Sequence, residues 1–340
     1  MKLYMFFLIG VIFVNFLFAA PQKEAENKEL IVLAYDSFVA DWGLGPLVAE
    51  QFEAETSIKV QYINGGDSIA TVVLAQQYAE DDMNRPDVIV GVDNNMISLV
   101  NSLDILSTDP IEGQKKIEVT EDSLPSYLVP FDYGYFSIVY NSEMLTEPPS
   151  SLQELTDPRF LDSLVLMHPS SSGPGASFLY WTIAEFGEEG IADFWSALKP
   201  SILSVTDSWE TGYGMFIAGE APMVLSYTSS PAYHIEYEQT DIYKTAIFPS
   251  GHYIHIEGAG VTSYARDVQN AREFVLFLQT EAIQQAVPLT NIMYPISTET
   301  ELPASFQSLE KPSEVYVLED SMIEEKGQQW LDEWNLLMSQ

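Results

Sequence analysis

Leu30-Ile31-Val32-Leu33-Ala34, Ile58-Lys59-Val60-Gln61-Tyr62-Ile63 and Val88-Ile89-Val90-Gly91-Val92-Asp93 decide the fold. The first is a short apolar run, the second alternates, and the third ends in a glycine-containing turn, so all three read as strands. Between the first two, Leu47 to Phe52 has helical spacing behind Gly43-Leu44-Gly45-Pro46, with Pro46 suited to a helix start. Between the second and third, Asp67-Ser68 opens a helix that runs to about Ala79. This βαβαβ order argues an α/β lobe with a mainly parallel sheet.

A second unit of the same kind follows. Ser137 to Tyr140, Leu164 to Met167 and Met223 to Ser226 read as strands. Gly175 to Phe186, Ile191 to Leu198 and Trp209 to Ala218 read as helices. Ile254 to Thr262 looks like a strand returning to the first unit, followed by amphipathic helices at Ala271 to Leu278 and Glu281 to Val287. A last helical region, Glu319 to Met338, places Trp330 and Trp334 one turn apart as packing anchors. The chain is expected to cross between units near Pro130 to Tyr135 and near His252. The expected division is a discontinuous first lobe (residues 29–130 and 255–310), a second lobe (131–254) and C-terminal helices (311–340) packed on the lobes.

A length of 340 residues suits two modest cores. The chain has no cysteine, which excludes disulfides, thiolate metal sites and a cysteine nucleophile. Fourteen basic residues against 50 acidic ones give a net charge of −36. No basic footprint for nucleic acid exists, and anionic membrane surfaces repel such a chain. The N-terminus reads as an address. Met1-Lys2 precedes an apolar run from Leu3 to Phe18, then Ala19-Ala20-Pro21 and a charged stretch. That is the pattern of a signal peptide over residues 1–20, with an uncleaved anchor as the alternative.

Catalytic and metal signatures are missing. The histidines His168, His234, His252 and His255 form no helical His-Glu-x-x-His pattern, although His255 and Glu257 share one face of a strand. There is no Gly-x-Ser-x-Gly elbow and no phosphate-binding P-loop. Binding signals are stronger. Tyr35-Asp36-Ser37-Phe38 follows the first strand, where α/β sheets hold ligands. Asp67-Ser68 and Ser170-Ser171-Ser172-Gly173-Pro174-Gly175 each open a helix, one per lobe. Free N–H groups at such ends can hold phosphate oxygens, or can simply be capped. Trp42, Trp209, Tyr213, Tyr227 and Tyr233 could wall a flat cationic ligand, or serve as core.

Several stretches together resemble the periplasmic thiamine-binding proteins of bacterial ABC importers. They are Tyr35-Asp36-Ser37-Phe38, Ala40-Asp41-Trp42-Gly43, Gly91-Val92-Asp93-Asn94-Asn95 and Val129-Pro130-Phe131-Asp132-Tyr133-Gly134-Tyr135-Phe136. Leu225-Ser226-Tyr227-Thr228-Ser229-Ser230-Pro231-Ala232-Tyr233-His234, Gly251-His252-Tyr253 and Asn291-Ile292-Met293-Tyr294-Pro295 continue the match in family order.

The resemblance implies a type II periplasmic-binding fold, with two α/β lobes joined by hinge crossovers. It implies a non-enzymatic receptor, exported to the periplasm, that captures thiamine and its mono- and diphosphate for a membrane permease. No cofactor and no metal are implied. Carried over by position, the ligand contacts are Asp67 and Ser68, Ser172 and Gly173, Trp209, and Tyr227, Thr228, Ser229, Ser230 and Pro231. Tyr35 and Tyr233 are further walls, and Asp36 is a candidate partner for the thiazolium charge. Ser68 stands where the family pattern has Gly, and Gly173 where it has a hydroxyl residue. Rival readings within the fold are a polyamine receptor, which needs no helix-end anion site, and a ferric-iron receptor, which displays the adjacent tyrosines that this chain lacks.

Overall fold

The computed structural model describes residues 29–81, 84–117 and 124–339. The expected signal peptide lies outside them. The strands are β1 (Glu29–Ala34), β2 (Lys59–Asn64), β3 (Val88–Asp93), β4 (Leu128–Asn141), β5 (Leu164–Met167), β6 (Ile202–Thr206), β7 (Met223–Tyr227), β8 (Tyr243–Ala246), β9 (His252–Val261), β10 (Tyr294–Pro295) and β11 (Val315–Tyr316). They follow the spatial order β2-β1-β3-β9-β4-β7-β5-β6.

Two parallel triplets flank a pair of long antiparallel strands. β2-β1-β3 is parallel on one side, and β6-β5-β7 is parallel on the other. β9 runs antiparallel to β3 and to the first half of β4, up to Tyr135. From Phe136 onward, β4 pairs instead with β7. One strand thus serves both α/β units.

The sequence predicts only Ser137 to Tyr140 as strand here and places a crossing between units near Pro130 to Tyr135; the strand instead begins at Leu128. Proline has no N–H for a ladder and is tolerated at bulges. The register shifts between Pro130 and Asp132, which accommodates it.

Alternation along β1 explains the layers. Leu30, Val32 and Ala34 face one core with Val48 and Phe52 of the Leu44–Thr56 helix and with Phe274 and Val287. Leu33 faces the other side with Val72, Met96 and Val100. Successive strand residues point to opposite faces, so helices must cover both. The second unit packs Val165, Phe178, Trp181 and Trp195 with Trp330 and Trp334. Trp334 lies edge-on to Trp195 and to His168, and Trp330 edge-on to Tyr180, so both tryptophans are packing anchors.

The two expected helices after Gly173 form one run, Gly173–Leu198, interrupted at Gly187 (φ 69°, ψ 169°). That left-handed backbone suits glycine. Among the described residues, no helix is long and apolar enough to cross a membrane.

Candidate ligand-binding cleft

A cleft of about 380 Å³ lies where the parallel strands of both units end. Loops after the carboxyl ends of such strands converge on one crevice. Tyr35, Asp36 and Ser37 follow β1, while Asp67 and Ser68 lie beyond β2. Trp209 follows β6, Tyr227 ends β7, and His255 and Glu257 come from the middle of β9. No Lys or Arg is among its lining residues.

One wall is aromatic. Trp209 and Tyr213 are one helical turn apart and stack with ring centroids 4.9 Å apart at 22°. The Trp209 indole N–H donates to Ser226 Oγ at 2.9 Å, which fixes the ring. Tyr213 Oη lies 2.9 Å from His234 Nε2, and Glu238 lies 2.7 Å from the other ring nitrogen. Burial nonetheless pushes the His234 pKa down. Ser230 Oγ accepts from the Tyr227 N–H and lies 2.7 Å from Ser226 Oγ, shaping the turn beneath Tyr227.

Asp67 clasps the two units together. Its Oδ1 accepts the N–H of Ser68 at 2.7 Å and that of Gly173 at 2.9 Å. Its Oδ2 accepts the Ser172 hydroxyl and the Trp209 N–H, both at 3.0 Å. Asp67 caps its own helix, Ser68–Tyr78, while also holding the first residues of two helices across the cleft. Burial pushes its pKa up, against the N–H groups of Trp209 and Gly173 and the Ser172 hydroxyl, which stabilise the carboxylate. A Cβ on Gly173 would lie 2.3 Å from Ser68 Oγ. The serine side chain therefore fills the space that a side chain at position 173 would take.

The floor is an acidic network on the two shared strands. Tyr35 Oη donates to Glu257 Oε2 at 2.6 Å. Asn291 Nδ2 donates to Asp132 Oδ2 at 2.5 Å and to the Tyr35 oxygen at 2.9 Å. His255 lies 3.0 Å from Glu257 and 3.6 Å from Asp93. Burial opposes charge on His255, but Glu257 and Asp93 outweigh it and hold the pKa above its ordinary value.

Burial likewise works to raise Glu257, yet the hydrogen bond and charge of His255 pull its pKa below the usual carboxylate range. Asp132 is pushed far up by burial and then by Glu257. Burial, tempered by His255, brings Asp93 up to about 6.

Among the residues singled out from sequence, Tyr35, Asp36, Asp67, Ser68, Trp209, Tyr227, Ser230 and Tyr233 line the cleft. Ser172 and Gly173 sit behind Asp67 and reach the cleft only through it. Thr228, Ser229 and Pro231 are buried behind Tyr227 and Ser230. Trp42 is at the mouth, 51% exposed. Glu257, Asn291 and Met293 also line the cleft but were not among the expected contacts. The pairing of His255 with Glu257 on one strand face was the available signal for the first. The alternation of β9 could not show that the face pointed into a crevice. His252 is a satisfied core histidine, accepting the Phe248 N–H and lying 2.7 Å from the Phe136 carbonyl oxygen.

Comparison with known proteins gives a consistent picture. Residues 84–323 match the family model described as bacterial extracellular solute-binding protein. The chain is 36% identical over 316 residues to the thiamine-binding periplasmic protein of Brucella abortus, covering 93% of each. It is 34% identical over 310 residues to the thiamine-binding periplasmic protein of Escherichia coli, covering 91% of this chain and 93% of that one. A solved structure of a periplasmic thiamin binding protein superposes with a TM-score of 0.86 at 33% identity, covering 94% of this chain and 99% of the other.

Proposed function

The chain belongs to the bacterial extracellular solute-binding proteins, and we propose that it captures thiamine in the periplasm and delivers it to the permease of an ABC importer. One observation carries the ligand: a stacked aromatic wall faces carboxylates in a cleft whose lining has no Lys or Arg. Thiamine is a flat aromatic cation. A cation over Trp or Tyr gains about 0.5–2 kcal/mol, more when water is excluded. The thiazolium rests against Trp209 and Tyr213, with Asp36 and Glu257 balancing its charge. Asn291 and Glu257 on the floor offer a donor and an acceptor to the aminopyrimidine.

Residues 1–20 direct export. Closure of the two lobes buries the ligand and presents the permease with a surface that the open form lacks. The net charge of −36 speeds capture of a cation at low salt and is screened at high salt. Thiamine mono- and diphosphate are further ligands, their phosphates directed to the helix ends beside Ser68 and Ser172. No reaction is part of this reading.

Calorimetric titration of residues 21–340 tests it, with thiamine, spermidine and ferric ion in parallel. Saturable binding of thiamine and no response to spermidine or iron is expected. Binding of spermidine or iron without thiamine would overturn the assignment. Trp209→Ala is expected to weaken thiamine binding about 10–100-fold, the scale of an aromatic anchor, with little change in Tm. Unchanged affinity would remove Trp209 from the site.

A further inference from the structure

The connection between β7 and β8 reaches across to the other unit. Both strands pair with the second half of β4, so this connection belongs to the second unit. It holds the short helix Pro231–Tyr233 and one π-helical turn, His234–Glu238. Single π-helical turns are rare and are frequent at functional sites. Tyr233 and His234 line the cleft and lie edge-on, with ring centroids 5.3 Å apart at 88°. Tyr237, four residues past Tyr233, packs on its ring with centroids 5.3 Å apart. The Tyr237 side is open to water, with the residue 53% exposed, yet its hydroxyl donates to the carbonyl oxygen of Leu289 at 2.6 Å.

Leu289 belongs to the first unit. Its helix, Glu281–Thr290, packs Ile283 and Val287 with Leu30 and Val32 of β1. Leu289 stands in the last turn, where carbonyl groups have no later N–H of the helix to accept. The chain then leaves the helix through Asn291, Ile292 and Met293, which line the cleft. Ile292 has φ 55°, a strained backbone for a β-branched residue, and such strain persists only where neighbours hold it. The Tyr237 hydroxyl therefore ties a turn that walls the cleft from one unit to the root of a strained cleft segment of the other.

We propose that Tyr237 is a positioning residue for ligand retention: its hydroxyl latches the second unit to the end of the Glu281–Thr290 helix and slows reopening of the closed cleft. For its ligand, though not for the contact, the inference rests on the thiamine reading. The bond joins elements that separate when the units part. It forms only after the units have met and must break before the ligand leaves. Its loss then raises the dissociation rate and leaves association nearly unchanged. Tyr237 is not among the residues lining the cleft, so it acts on the ligand only through closure. Its hydroxyl exchanges this partner for water at little cost to folding.

The test is Tyr237→Phe, which keeps the ring on Tyr233 and removes only the donor. Stopped-flow tryptophan fluorescence gives the association and dissociation rates of thiamine. Dissociation is expected to be about two- to tenfold faster in the variant, the scale of one hydrogen bond, with association within about twofold and Tm unchanged. Hydrogen exchange of the ligand-free proteins over residues 287–293 is read in parallel and is expected to be faster in the variant.

An unchanged dissociation rate overturns the proposal. A lower Tm with unchanged dissociation marks an ordinary structural contact and overturns it too. A wild type that does not bind thiamine overturns the thiamine reading alone. Exchange over residues 287–293 then decides the latch, since equal rates in wild type and variant would show that the bond does not hold the helix end.

Discussion

The clasp and the floor both bury carboxyl side chains at the same cleft, and they stabilise them in opposite ways. At the clasp, one carboxylate is met by three backbone N–H groups and two hydroxyls, that of Ser68 the more distant. Those donors are positioned by helix formation itself and carry no full charge. At the floor, Asp93, Asp132 and Glu257 are met by His255, Tyr35, Asn291 and one another. Apart from the Asn95 N–H that Asp93 accepts at 2.7 Å, each of these floor partners is a side chain, and removing one strands a polar group on another. Backbone donors make a buried anion robust; side-chain donors make it interdependent.

The largest effect is therefore expected at the floor. Glu257→Ala leaves His255 buried beside Asp93 without its nearer partner and leaves the Tyr35 hydroxyl only its longer contact to Asn291 Oδ1, at 3.3 Å. Breaking such a buried pair costs about 3–5 kcal/mol. Urea unfolding should show that loss, and a change below about 1 kcal/mol would mean the floor is no more interdependent than an exposed ion pair.

Asp93 gives the next effect and a sign. Burial raises its pKa from 3.8 to about 6. The folded state thus binds the proton more tightly than the unfolded state, so stability from this group is full at low pH and is lost as pH rises from about 4 to about 6. His255, whose pKa is raised from 6.5, adds a loss of the same sign only above that window, as pH rises past about 6.5. Asp93→Asn removes the first contribution and weakens the second. The wild type should therefore lose about 2–3 kcal/mol relative to the variant across that window. A stability difference that is flat or rises with pH would contradict the network described for the floor.

The same contrast governs how much could be read from sequence. The clasp was legible because its parts are local motifs. Asp67-Ser68 announces a helix N-terminus, and Ser172-Gly173-Pro174 announces another. What sequence could not show was that the two ends meet, so that the free donors expected to await a phosphate are taken by Asp67. The floor was largely illegible. Tyr35, Asp132, Glu257 and Asn291 are scattered along the chain and converge only because β4 and β9 run through both units. His255 and Glu257 were placed on one strand face, but periodicity cannot say which face borders a crevice. The parallel triplets, by contrast, were plain from apolar runs alternating with helices. β4 was underestimated because its proline sits in a bulge.

The smallest effect belongs to the clasp, and it isolates the exchange between Ser68 and Gly173. In Gly173→Ser the new Cβ meets Ser68 Oγ at 2.3 Å and Asp93 Oδ2 at 3.1 Å. Ser68 can yield by rotating, since its hydroxyl is the end of a short side chain, so the cost should be near the low end of overpacking, about 1 kcal/mol. Ser68→Gly removes the obstructing hydroxyl and one weak contact to Asp67, at 3.2 Å, while keeping the backbone N–H that caps it. The double variant should then be more stable than the sum of the single changes by about 1 kcal/mol, a coupling well above the scatter for independent sites. Simple additivity in that cycle would mean that the two positions do not share one space. Recovery in the double variant would show that the hydroxyl at this contact can sit on either unit, provided it sits on only one.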